Sequence, residues 1–105
     1  MMSGTHPEDP ELGDDLVQSG WRWREDRKAI VKTFEFRNFR EAFAWMMQVA
    51  FWAEKLNHHP EWRNVYKRVE VELTSHNSGS VTEADLKLAR HMDEAATRMA
   101  GHDAP

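Results

Sequence analysis

A chain of 105 residues can build one hydrophobic core but not two, and such a core is only moderately stabilising by itself, so one self-associating domain is expected. Hydrophobic residues make up 40% of it, including five Trp and five Phe, which is ample for a packed domain and excludes a disordered chain. The net charge of -4, with both signs interspersed, lacks the basic stripe of a direct nucleic-acid binder, and the absence of Cys removes disulfides, thiolate metal sites and cysteine nucleophiles.

No apolar run reaches membrane-spanning length, and the opening Met1-Met2-Ser3-Gly4-Thr5-His6-Pro7-Glu8 has neither the basic nor the apolar region of a signal peptide. A cytoplasmic location without membrane attachment is expected. Residues 1–8 read as a flexible arm, 9–100 as the single domain and 101–105 as a tail.

Asp9, Pro10 and Glu11 form a helix start, with an N-cap, a proline at the first helical position and an acid in the first turn; Ser19-Gly20 ends that short helix. Trp21-Arg22-Trp23-Arg24 alternates apolar with charged residues. After the polar turn 25–28, a second strand runs from Ala29 to Phe36, with Ile30, Phe34 and Phe36 on one face and Lys32 the exception, reaching outward along its stem. Asn38 and Glu41 have the spacing of a capping box at the head of a long helix. Phe39, Ala42, Phe43, Met46, Val49, Ala50, Ala53 and Leu56 follow its helical stripe. Trp45, Met47, Phe51 and Trp52 fall off the stripe, so the helix is apolar around most of its circumference and a second subunit is expected to cover part of it.

Pro60 disfavours helix at His59, so the long helix ends near Asn57 or His58 and releases an extended chain. Residues 62–65 and 68–74 read as a second hairpin, with Val69, Val71 and Leu73 facing the core and Glu70 and Glu72 facing away. Beyond the loop 76–80, Thr82-Glu83-Ala84-Asp85 is another capping-box start. Leu86, Ala89, Met92, Ala96 and Met99 give the last helix its buried stripe. The resulting fold class is α+β, with two layers: a four-stranded antiparallel sheet with helices on one face, in the order ββαββα plus a short N-terminal helix.

Three histidines gather at element ends: His58 and His59 where the long helix stops, and His76 just past the fourth strand. Glu54 lies four residues before His58, which places both on one helical face. Imidazoles titrate near neutrality, so one can donate a proton while another accepts one, which suits the elimination of water. By spacing alone the same residues also fit other descriptions. His58 and His59 fit a pair favoured by the helix dipole, Glu54 a solvated carboxylate, and His76 a loop histidine. Glu54, His58 and either His76 or His59 also have the composition of a two-histidine, one-carboxylate metal site. Asp85 is accounted for by its capping position, and His6, His91 and His102 read as surface residues.

The stretch Glu54-x3-His58-His59-Pro60, an aromatic at Tyr66, His76 and then Asp85 resembles, spacing for spacing, the signature of the pterin-4a-carbinolamine dehydratases. The likeness extends through Gly20-Trp21, Ala29-Ile30, Phe34-x-Phe36, Ala42-Phe43 and Leu88-Ala89. Arg63 departs from the family's common Trp-Phe-Asn, and the loop after His76 lacks its frequent Cys or Asp.

The resemblance implies a hydro-lyase that dehydrates a 4a-hydroxytetrahydropterin to the quinonoid dihydropterin without metal or cofactor. Its catalytic set is Glu54, His58, His59 and His76, with Asn57, His58, His59, Thr74, Ser75, His76 and Asn77 contacting the pterin. His58 and His76 are the acid candidates for the departing hydroxyl, and His59 binds the pterin or takes the N5 proton. The resemblance also implies a homodimer or homotetramer serving an aromatic amino acid hydroxylase, or alternatively a non-enzymatic dimerisation or assembly module of the same fold.

Overall fold

A computed structural model describes residues 11–101. In chain order it contains helix α1 (Asp14–Ser19), strands β1 (Arg22–Trp23) and β2 (Ile30–Glu35), helix α2 (Phe39–Leu56), strands β3 (Glu61–Val65) and β4 (Arg68–Leu73), and helix α3 (Glu83–Gly101). The arm expected over residues 1–8, the Asp9-Pro10 pair, His6 and His102 lie outside the described residues. Glu11 precedes the helix rather than opening it. The cap is Gly13, whose extended backbone lets its carbonyl accept the Leu16 and Val17 amides, while Asp14 and Asp15 suit the positive end of the first turn.

The four strands form one open sheet in the order β1-β2-β4-β3, every pairing antiparallel. Register decides which residues share a face. Ile30 pairs with Leu73, Phe34 with Val69, and Trp62 with Val71, and this side turns toward the helices. Val31, Glu72 and Glu61, and likewise Thr33, Glu70 and Arg63, line up on the other side, where Glu72 pairs with Arg24, and Glu70 with Arg63 and Arg68. Period two thus separates core from solvent in β4, as the alternation of Val69, Val71 and Leu73 with Glu70 and Glu72 predicts.

Lys32 departs from expectation. It lies opposite Val71 on the helix-facing side, but its ammonium does not reach out to water; it sits 2.8 Å from Asp93 on α3, with Nζ 4.3 Å from the centre of the Phe34 ring. Asp93 also accepts from Ser19 Oγ and Trp21 Nε1, so one carboxylate ties α1, the first hairpin and α3 together.

The apolar stripe of α2 is also rotated from its sequence reading. Ala42, Trp45, Val49 and Ala53 are buried, whereas Phe39, Phe43 and Ala50, placed on the core stripe by periodicity, are exposed. Trp45 is wholly buried, 4.5 Å from Phe34 and 5.2 Å from Phe36 between ring centres, and its indole N–H donates to the Met92 carbonyl. A helix apolar nearly all round has no unique sequence-defined core face, so packing against the sheet decides, and the bulky indole fills the space beside Phe34, Phe36 and Trp62. Phe39, Phe43, Met47 and Phe51 form an exposed row at four-residue spacing, with Phe51 71% exposed.

At the head of α2, Asn38 caps as expected, its side chain accepting from the Glu41 amide at 2.8 Å. Glu41 reaches one residue further back than a capping box requires, to the amide and guanidinium of Arg37. Those hydrogen bonds hold the Glu41 carboxyl below the ordinary glutamate range. A folded-state pKa lower than the unfolded one contributes stability above the unfolded value, about 4.3, that is lost as pH falls through the folded value. Chemical denaturation of wild type and Glu41→Gln, near neutrality and at about pH 3, should therefore give a difference between the two proteins that shrinks in acid. A difference independent of pH would remove the carboxylate from the explanation.

In α3, Leu86, Leu88, Ala89, Met92 and Ala95 are buried. His91, read as a surface residue, is instead half-buried and stacked on Trp52 at 3.8 Å between ring centres. Among the described residues no helix is long and apolar enough to cross a membrane.

Candidate active site

The last turn of α2 sets the site. Asn57 adopts the left-handed conformation, its amide bonding the Glu54 carbonyl while the His58 amide bonds the Ala53 carbonyl at 2.9 Å. This is the paired hydrogen bonding of a Schellman cap, with Asn rather than Gly at the left-handed position. The cap reverses the chain, so Glu54 and His58 do not share a helical face as the four-residue spacing predicts. His58 turns inward to Asp85 of α3, which is fully buried, and Glu54 instead meets His59, Oε2 to Nε2 at 2.7 Å. Pro60 then releases an extended chain into β3, whose first residue, Glu61, lies 3.2 Å from His76.

His76 is held from the other side by the turn after β4. Thr74 Oγ1 donates to the Lys28 carbonyl at 2.6 Å, anchoring the turn to the first hairpin. Ser75 and Ser80 form an isolated bridge, and the Ser75 carbonyl accepts the amides of Ser78 and of Gly79, which takes the positive φ of 70° that closes the loop. Asp85 supplies half of a capping box, its Oδ2 accepting the Thr82 amide at 2.8 Å. The Thr82 hydroxyl pairs with Ser75 instead of capping the helix.

These turns border one cleft of about 520 Å³, lined by residues 57–61 and 74–78 together with Thr82. It gathers His58, His59 and His76 with Asn57, Thr74, Ser75 and Asn77. Glu54 does not line it and reaches it only through His59. A second depression of about 380 Å³ lies on the sheet, is lined largely by charged side chains of the outer face and contains no histidine.

His58 is the most enclosed of the three imidazoles, 15% exposed, while His59 and His76 are open to solvent. Each of the three imidazoles meets a different carboxylate through Nε2, His58 with Asp85, His59 with Glu54 and His76 with Glu61. Among the described residues no three His, Asp or Glu side chains converge as a metal would require. Asp85 and Glu61 were not singled out by sequence reasoning. For Asp85 the capping position masked a second use, and the only available signal was its place at the end of the signature spacing.

An α+β domain with an antiparallel sheet, helices on one face and an imidazole-lined cleft at the strand ends is thereby defined. A family model described as "Pterin 4 alpha carbinolamine dehydratase" matches residues 6–95, and the chain belongs to that family. A Roseobacter denitrificans protein, provisionally named a pterin-4-alpha-carbinolamine dehydratase, is 58% identical over 81% of this chain and 87% of its own length. A Rhizobium rhizogenes protein of the same provisional name is 54% identical over 88% and 93%.

Among solved structures, a protein from Brucella melitensis described as a transcriptional coactivator/pterin dehydratase superposes with a TM-score of 0.74. It is 45% identical, over 79% of this chain and 90% of that one. A pterin dehydratase-like protein described as a RuBisCO assembly factor of the alpha-carboxysome superposes with a TM-score of 0.64 over 73% and 89%. At 22% identity it speaks for the fold alone.

Proposed function

We propose that the protein is a cytoplasmic hydro-lyase that removes water from 4a-hydroxytetrahydropterin, returning the pterin of an aromatic amino acid hydroxylase to the quinonoid dihydro form. The observation that carries this reading is the single cleft bordered by His58, His59 and His76, each imidazole within reach of its own carboxylate. In the reaction the C4a–O bond breaks as the hydroxyl takes a proton and leaves as water. The N5–H proton passes to a base, and the nitrogen electron pair forms the C4a=N5 double bond. No electrons are gained or lost, so two groups that exchange protons near neutrality suffice.

His58 and His76 are the acid candidates in this account, one of them giving the single proton that the leaving hydroxyl takes, and His59 binds the pterin or accepts the N5 proton. Glu54 acts through His59 and is a positioning residue rather than a group in contact with substrate. The pterin lies along the residues 57–59 and 74–77, and the exposed row Phe39, Phe43, Met47 and Phe51 supports a homodimer or homotetramer formed through α2.

The same row favours a second reading, a non-enzymatic dimerisation or assembly module. The two separate on one measurement, dehydration of freshly generated 4a-hydroxytetrahydropterin followed by ultraviolet absorbance. Purified wild type, insensitive to EDTA, should accelerate the reaction by at least about 100-fold over buffer. A rate equal to buffer would leave the module reading in possession, and loss of the acceleration in EDTA would overturn the metal-free mechanism.

A further inference from the structure

Behind the cleft lies a chain of hydrogen bonds that the proposed chemistry does not use. Ser75 Oγ is 2.7 Å from Asp85 Oδ2 and 2.7 Å from Thr82 Oγ1, and the Thr82 amide donates to the same carboxylate oxygen at 2.8 Å. The other oxygen, Oδ1, meets His58 Nε2. Asp85 is 0% exposed, so its partners are fixed by protein groups.

Counting donors orders the chain. Ser75 has one hydroxyl proton and gives it to Asp85, so in the Ser75–Thr82 contact the proton comes from Thr82. Oδ2 then receives both the Ser75 hydroxyl and the Thr82 amide, which orients the carboxylate and leaves Oδ1 to accept from the imidazole. An acceptor at Oδ1 requires the proton of His58 on Nε2, and Nδ1 is the ring nitrogen that Asp85 leaves free.

We propose that Thr82 and Ser75, acting through Asp85, hold His58 in one orientation and one tautomer, with Nε2–H directed at Asp85 and Nδ1 as the nitrogen that exchanges protons in the cleft. Ser75, Thr82 and Asp85 are thus positioning residues, and the inference about catalysis rests on the dehydratase reading given above. The two ring nitrogens of a histidine are chemically distinct once a hydrogen bond selects one, and a buried carboxylate behind an imidazole is a recurring means of selecting it. The arrangement also assigns Ser75 an inward task. Its hydroxyl donates to Asp85 and accepts from Thr82, so its side chain acts on His58 whatever its backbone contributes along the cleft.

The test combines long-range proton–nitrogen NMR of the His58 ring with steady-state kinetics for wild type, Ser75→Ala and Ser75→Thr. Wild-type His58, when neutral, should be protonated on Nε2 and bare on Nδ1. Ser75→Ala should give a mixture of tautomers and lower kcat about tenfold with KM little changed, as loss of a group that orients a reacting one does. Ser75→Thr, which keeps the hydroxyl, should restore both. Wild-type His58 protonated on Nδ1 would overturn the proposal, as would a Ser75→Ala protein with unaltered tautomer and kcat. A rise in KM alone would also overturn it and leave Ser75 with pterin binding as its only task. Wild type inactive toward the carbinolamine would sink the dehydratase reading instead, and the tautomer would still be decided by NMR.

Discussion

Replacing His58 should lower kcat for carbinolamine dehydration by about 10²- to 10⁴-fold, the range expected when a positioned general acid or base is lost. Two substitutions separate chemistry from folding. His58→Ala leaves Asp85 facing an empty space at Oδ1, and a buried carboxylate deprived of one partner costs stability as well as rate. His58→Gln can direct an amide N–H at Asp85 without supplying a group that titrates, so it should melt close to wild type while remaining as inactive as His58→Ala. Adding His76→Ala to either should remove what activity the second acid candidate sustains. A His58→Gln protein within about threefold of wild-type kcat would show that His58 is a structural partner of Asp85, because general acid–base participation is worth far more than that.

Trp45→Ala should be the most damaging single change to stability, by about 3–5 kcal/mol. Trp45 is 0% exposed, packs against Phe34 and Phe36 and lies 6.0 Å from Trp62 between ring centres, so truncation opens a cavity where α2 meets the sheet. It also removes the hydrogen bond from the indole N–H to the Met92 carbonyl at 3.0 Å, and so weakens the contact between α2 and α3. Because small domains hold only about 5–15 kcal/mol in total, such a loss takes much of the margin. Trp45→Phe keeps an aromatic ring, though a smaller one, and loses the N–H, and should fall between wild type and Trp45→Ala. Denaturant midpoints decide the matter. A loss below about 1 kcal/mol for Trp45→Ala would mean that this face of α2 is not the core face, and that the row at Phe39 and Phe43 is turned inward in solution.

The effects of these two changes also differ in how far they were foreseeable. Residues His58, His59 and His76 stand out in the chain because they fall at the ends of elements and at the spacings of a known signature, and the cleft does gather them. The order of strands and helices follows from local patterns: period two in residues 69–73, the Asn38 cap, the break before Pro60 and the start at Thr82. Each of these is an interaction among residues a few positions apart, so its energetics are written in contiguous sequence.

Which carboxylate serves which imidazole is a different kind of fact. Glu54 stands four residues before His58, yet the left-handed turn at Asn57 gives it to His59 and turns His58 to a residue 27 positions away. Likewise Lys32 finds Asp93 across 61 positions, and Trp45 rather than Phe43 enters the core. The sequence by itself therefore determined the elements, their order and the histidines offered for chemistry, since those rest on local hydrogen bonding and hydrophobic period. Only the tertiary structure decided the face that α2 buries, the partner of each histidine and the inward task of Ser75 and Asp85. Those depend on how strands register and helices dock, and no short window of sequence contains both sides of such a contact.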